Sequence, residues 1–133
     1  MKQRSLARNE RITGKKDFSL LFERGIPVSA SNGAMRALFL SASGSEGTGS
    51  IKVAAAVSKR AGNAVWRNRT RRLIKESYRL NKQELLTACL SKGVSLTVVF
   101  LPVGFQKKTH PRLFLKNISP LVCEILAKLL EKF

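Results

Sequence analysis

The chain has 133 residues, 44% of them hydrophobic, which suits one folded domain with a modest core and excludes a disordered chain. Its 25 Lys and Arg against 8 acids leave a formal charge of +17 and a pI near 11.0, so its partner is a polyanion and binding is salt-dependent. No apolar run spans a membrane, the N-terminal MKQRSLARNERITGKK lacks the apolar core of a signal peptide, and Cys89 and Cys123 read as free, buried thiols of a cytoplasmic protein, with only His110 as a possible metal co-ligand.

In chain order, Met1 to Lys16 is polar, with six basic residues and one acid, and predicts a flexible basic arm of a single domain covering 1–133. Asp17 to Arg24 places Phe18, Leu21 and Phe22 at i, i+3 and i+4, the pattern of a short amphipathic helix, stopped by Gly25. Pro27 to Asn32 offers a short edge strand and Met35 to Ala42 a second strand. Ser43 to Ser50 is a polar loop, and Ile51 to Val57 reads as a third strand, forming an antiparallel hairpin with the one before it. After a long basic helix, the chain continues helically from Asn81 to Ser91 and ends near Gly93. Val94 to Leu101 is β-branched and apolar, the best central strand. Phe105 to Lys116 is a basic loop, and Ser119-Pro120 predicts the cap and first residue of a last helix running to about Lys132. The order α-β-β-β-α-β-α predicts an α/β (α+β) two-layer sandwich, a small mixed sheet with a βαβ crossover helix and flanking N- and C-terminal helices.

The stretch SKRAGNAVWRNRTRRLIKESYR, Ser58 to Arg79, dominates the charge. Lys59 to Lys82 holds nine Lys and Arg and one acid, Glu76. Asn63 is a good N-cap, and Ala64 to Arg79 contains no Gly or Pro. Trp66, Thr70, Leu73, Ile74 and Ser77 form a mostly apolar stripe; Asn68, Arg72, Lys75 and Arg79 line the opposite side, flanked by Arg69 and Arg71. Charges of one sign repel one another, and Arg has the planar fork that fits phosphate, so nucleic-acid binding stands ahead of a solvated or membrane-surface face.

These residues also carry a resemblance. Ser58-Lys59-Arg60, Gly62-Asn63-Ala64-Val65, Arg67-Asn68-Arg69 and Arg71-Arg72-Leu73-Ile74 resemble the signature of the bacterial ribonuclease P protein subunit. The resemblance extends more weakly to Lys16 through Gly25. It implies a left-handed βαβ crossover, where physics alone favours a right-handed one. It implies a catalytic RNA subunit that carries the Mg²⁺-dependent active site, a precursor tRNA as substrate, one protein per RNA, and no DNA or membrane partner. Lys59, Arg60, Asn63, Arg67, Asn68, Arg69, Arg71, Arg72 and Lys75 match the signature and, with Arg79 on the same face, would contact the RNA subunit. Asn68 could instead hold the loop before the helix. Phe18 and Phe22 match an aromatic pair near the single-stranded 5′ leader, with Lys15 and Lys16 beside them; their other reading is simple core. Phe39 alone could supply the aromatic that family members carry in the strand after the first helix, and Leu101 stands where the family commonly has Arg.

The residues themselves show no active site. Paired-histidine hydrolysis needs two imidazoles and the chain has one; the eight acids are dispersed, no two within five residues. Catalysis of phosphodiester cleavage would then belong to another component. The alternative from a different class is a structural RNA-binding protein such as a ribosomal component, which composition fits equally. A helix-turn-helix DNA-binding protein would need a helix where Ile51 to Val57 reads as strand.

Overall fold

The computed structural model describes residue 12, residues 15–42 and residues 49–132. Strand β4, Ser95–Leu101, is the most apolar of the strands, and such a strand needs cover on both faces and pairing on both edges. It lies inside the sheet, whose order is β1-β2-β4-β3, with β1 Ile26–Ser29, β2 Arg36–Ala42 and β3 Ile51–Ala55. β2 runs antiparallel to β4, from Arg36 opposite Leu101 to Ala42 opposite Ser95. β3 runs parallel to β4, from Ile51 opposite Leu96 to Ala55 opposite Phe100. This corrects the predicted hairpin, because β4 separates β2 from β3. A β2–β3 pair would have pushed the most apolar strand to an edge, with unpaired N–H and C=O groups and bare apolar side chains. The short edge strand is present as β1, antiparallel to β2.

Alternation along the strands builds two cores. On one face Ala37, Phe39, Val53, Val98 and Phe100 meet α2 (Ala64–Asn81) and α4 (Leu115–Glu131) through Trp66, Ile74, Tyr78, Ile118 and Ile125. On the other, Ala54 and Val99 pack with Leu21 of α1 (Lys15–Arg24) and with Ile12, and Phe18, Leu38 and Leu101 close around them. α1 starts two residues earlier than predicted. The Ile12 N–H donates to the Val53 carbonyl at 3.2 Å and its side chain is buried, so the predicted arm is anchored at Ile12. The rest of that arm, residues 1–11 and 13–14, lies outside the described residues, as do the side chains of Lys15 and Lys16.

The helical continuation after α2 is a separate helix, α3, Gln83–Lys92, with Lys82 as the shared cap residue. Gly93 ends it in the left-handed region (φ 65°), with the Val94 N–H on the Cys89 carbonyl at 3.0 Å, a closure that favours Gly. α4 begins at Leu115 rather than at Ser119, and Pro120 lies inside it. The Asn117 side chain reaches back to accept the Phe114 N–H at 2.9 Å and so caps the earlier start. Ile118 is fully buried, so the apolar stripe of α4 starts before Pro120 and its burial outweighs the one backbone bond that proline cannot make. Cys89 is buried, which pushes its thiol pKa up, whereas Cys123 is only half-buried, a correction to the reading of two buried thiols. Among the described residues no helix is long and apolar enough to cross a membrane.

Candidate nucleic-acid interface

The site starts where β3 ends. Ala56 still donates to the Phe100 carbonyl at 2.9 Å, and then Ser58 Oγ accepts the Arg60 N–H at 3.2 Å and opens a single 3₁₀ turn, Lys59–Ala61. Both Lys59 and Arg60 are exposed there. Gly62 follows in extended backbone. A Cβ on it would lie 2.8 Å from the Trp66 ring and 3.1 Å from Lys107 Cβ, so a glycine lets the loop after β4 close over the turn. Asn63 caps α2 as predicted, its Oδ1 accepting the Trp66 N–H at 2.9 Å.

α2 buries Trp66, Thr70, Ile74, Ser77 and Tyr78. Tyr78 is not on the predicted stripe; at i+4 from Ile74 it carries the buried face one turn further. The basic residues emerge on the other side, and several are held rather than loose. Arg67 Nε donates to the Gly62 carbonyl at 3.1 Å, so Arg67 does the loop-holding that Asn68 was one candidate for. Asn68 is exposed, and its Oδ1 accepts from Arg71 Nη2 at 2.7 Å. Arg69 Nε donates to the Leu113 carbonyl at 2.9 Å. Arg72 is exposed and Lys75 half-buried. One nitrogen of a guanidinium bound to a carbonyl leaves the others of the fork to face solvent or phosphate, in a fixed direction.

The face is not uniform along its length. From Ala64 to Lys75 there is no acid. The next residue, Glu76, takes Arg79 in a two-point ion pair, 3.0 Å at Nε and 2.6 Å at Nη2, and this hydrogen bonding raises the Arg79 pKa above its ordinary value. Arg79, predicted as a nucleic-acid contact, thus has its fork engaged by a carboxylate.

The predicted aromatic group divides. Phe22 is 54% exposed, which rules out a core role for it, while Phe18 is half-buried against the α1-side core. Phe39 is 3% exposed in the opposite core, under α2 and α4. This corrects its grouping with Phe18 and Phe22: Leu38 and Leu40, not Phe39, face α1, because strand residues alternate. A cleft of about 330 Å³ opens at the ends of β3 and β4, lined by Ala56, Leu101 and Pro102 with Ser58 and Arg60. Its lining joins both cores, Ala56 and Leu101 packing on the α1 side and Ala61 and Phe105 on the other, so the cleft lies at the end of the sheet between the two faces. Arg36, exposed on β2 opposite Leu101, brings a further cation near that end of the sheet. Cross-strand pairing supplies it, and no local motif announced it.

Sequence reading also missed the attachment of the loop 102–114 to α2. Lys107 N–H meets the Ala61 carbonyl at 2.7 Å, and Trp66 Nε1 the His110 carbonyl at 2.8 Å. The signal was Trp66 itself, since a buried indole N–H needs an acceptor. Among the described residues, no three His, Cys, Asp or Glu side chains gather so as to hold a metal ion.

A mixed sheet ordered β1-β2-β4-β3, crossed by a capped polybasic helix, defines a class of small basic α/β proteins built around one cationic face. Known proteins of this shape include the ribonuclease P protein of Staphylococcus aureus, with a TM-score of 0.63 at 18% identity over 90% of this chain and 94% of that one. That of Thermotoga maritima gives 0.55 at 24% identity, over 93% and 97%. At these identities the likeness concerns the fold. Residues 6–116 match the family description Ribonuclease P, and the chain belongs to that family. Among bacterial relatives named ribonuclease P protein component, that of Coprothermobacter proteolyticus is 40% identical over 80 residues, 60% of each chain. That of Staphylococcus carnosus is 34% identical over 76 residues, 57% of this chain and 62% of its own. The match thus spans under two thirds of these relatives' length.

Proposed function

We propose that this chain is the non-catalytic protein subunit of a ribonuclease P ribonucleoprotein, binding a catalytic RNA subunit and the 5′ leader of precursor tRNA in the cytoplasm. The observation that carries the reading is the acid-free outer face of the first three turns of α2, where Arg67, Arg69 and Arg71 are held by Gly62, Leu113 and Asn68 with Arg72 exposed among them. Guanidiniums directed in advance lose less freedom on meeting phosphate, and Lys59 and Arg60 continue the positive surface to the 3₁₀ turn. Asn63 acts chiefly as the cap that aims the helix.

The leader would follow the α1 side of the sheet, past Phe22 and Phe18 to the cleft beneath Arg60, with Lys15 and Lys16 at the start of α1. An exposed aromatic can stack on any base, and flanking cations meet the phosphates. Hydrolysis is assigned to the RNA subunit, which would hold the Mg²⁺; a single His and eight dispersed acids give this chain no acid–base pair of its own. The complex is taken to hold one protein per RNA.

The test is reconstitution. A bacterial ribonuclease P RNA transcript and a precursor tRNA are assayed across a Mg²⁺ titration, with and without the protein. Efficient cleavage at Mg²⁺ concentrations too low for the RNA alone is the expected result. An unchanged Mg²⁺ requirement, or cleavage by protein stripped of all RNA, would overturn the proposal.

A further inference from the structure

The α2 face has a neighbour that no motif marks. Between Pro102 and Cys123 there are four cations, Lys107, Lys108, Arg112 and Lys116, and no acid. The loop that carries three of them is fastened to the 3₁₀ turn at Ala61 and to α2 at Trp66 and Arg69, which fix its position. It ends on Phe114, 46% exposed, beside the fully buried Leu113. The Arg69 guanidinium and the Lys116 ammonium each lie over the Phe114 ring, 5.8 Å from its centroid. Arg69 lies one helical turn from Val65, which is 78% exposed, and one turn less one residue from Arg72. Phe114, Arg69, Val65 and Arg72 therefore occupy adjoining parts of one surface.

The exposed ring of Phe114 is set among cations rather than apolar neighbours, and a surface this positive points to a polyanion. A protein partner would want a broader apolar patch; a duplex would use the cations but not the ring. We infer that Phe114 is a stacking platform for an unpaired nucleotide of the RNA that α2 binds, with Arg69 and Lys116 taking its flanking phosphates. This rests on the reading that the outer face of α2 binds RNA. It adds a base-contacting element, outside the helix, to a face otherwise suited to backbone contacts alone.

The experiment measures binding of the full chain to a bacterial ribonuclease P RNA transcript as a function of salt, for the wild type, Phe114→Ala, Phe114→Tyr and the double variant Arg72→Ala, Lys75→Ala. Loss of one stacked base predicts affinity lower by roughly 5- to 150-fold in Phe114→Ala, restored in Phe114→Tyr, with the slope of log K against log salt unchanged. Wild-type affinity in Phe114→Ala while the double variant binds weakly would overturn the platform and leave the α2 reading standing. Weaker binding with a flattened slope would also overturn it, since Phe114 would then only position Arg69 and Lys116. A double variant that binds as wild type would remove the α2 reading itself. Melting temperature is followed throughout, and a large fall in Phe114→Ala that Phe114→Tyr repairs without restoring affinity would assign the ring a purely structural role.

Discussion

The two faces of the sheet are finished to different degrees. Under α2 and α4 nearly every inward side chain is sealed, from Phe39 and Phe100 to Ile74 and Ile118. On the other face one ten-residue helix and Ile12 cover a small cluster, and Phe22 of that helix stays open. The difference separates two tasks. Stability belongs to the sealed face, which also stiffens the helix whose far side is basic. The open face has apolar surface to offer a ligand because folding does not require all of it.

Substitutions can break that comparison. Ile74→Ala removes a fully buried side chain and should lower stability by about 2–5 kcal/mol in urea unfolding. Phe22→Ala removes a larger but exposed ring and should change stability by no more than about 0.5 kcal/mol. Similar losses for the two would mean that the α1 face is as much a structural core as the other.

The same pair of faces predicts a split in ligand binding. On the leader reading, Phe18→Ala and Phe22→Ala should each weaken binding of a leader-bearing precursor tRNA by about 1–3 kcal/mol and leave mature tRNA nearly unaffected. Phe18 is half-buried, so its variant should also melt earlier, while that of Phe22 should not. Equal loss for precursor and mature tRNA in both variants would return these rings to a core role. Replacing Arg72 and Lys75 by Ala, on the far side of the molecule, should weaken both RNAs' assembly with the RNA subunit. It should flatten the slope of log K against log salt by roughly one unit or somewhat less per lost phosphate contact. An unchanged slope with wild-type affinity would sink the assignment.

How much of this was legible in the sequence depended on the range of the interaction. α2, its Asn63 cap, the α3 stop at Gly93 and the strand β4 follow from local pattern, and each is where the residues place it. The pairing of β2 with β4 instead of β3 is a long-range choice, made by the need to bury β4, and local pattern is silent on it. The start of α4 misled for a local reason: Ser119-Pro120 is a strong cap signal, but the burial of Ile118 one turn inside the helix outweighs it. In the site, the charge of α2 was plain, whereas the carbonyls that direct Arg67 and Arg69 come from the turn at Gly62 and from Leu113, forty-four residues beyond Arg69. Phe39 failed as a cleft residue because one step of strand register decides which face a side chain joins.

The smallest effect concerns the acid within the basic face. Glu76 and Arg79 sit one turn apart near the end of α2, each about one third exposed, their side chains 2.6 Å apart at the closest atoms. An ion pair this accessible adds little to the free protein, so Glu76→Gln should scarcely move the melting temperature. In the complex the carboxylate has two costs: it occupies the fork of Arg79, and it repels any phosphate that approaches the exposed Arg72 one turn earlier. Replacing it with Gln removes the repulsion and leaves a single neutral acceptor on the fork, while keeping the shape. RNA affinity should rise by a few-fold at low salt, the salt slope should steepen by less than about one unit, and the difference should shrink as salt is raised. Glu76→Gln binding more weakly than wild type would mean that the pair orients Arg79 toward the RNA rather than withholding it. No change at any salt would place the end of α2 outside the interface and confine contact to its acid-free first turns.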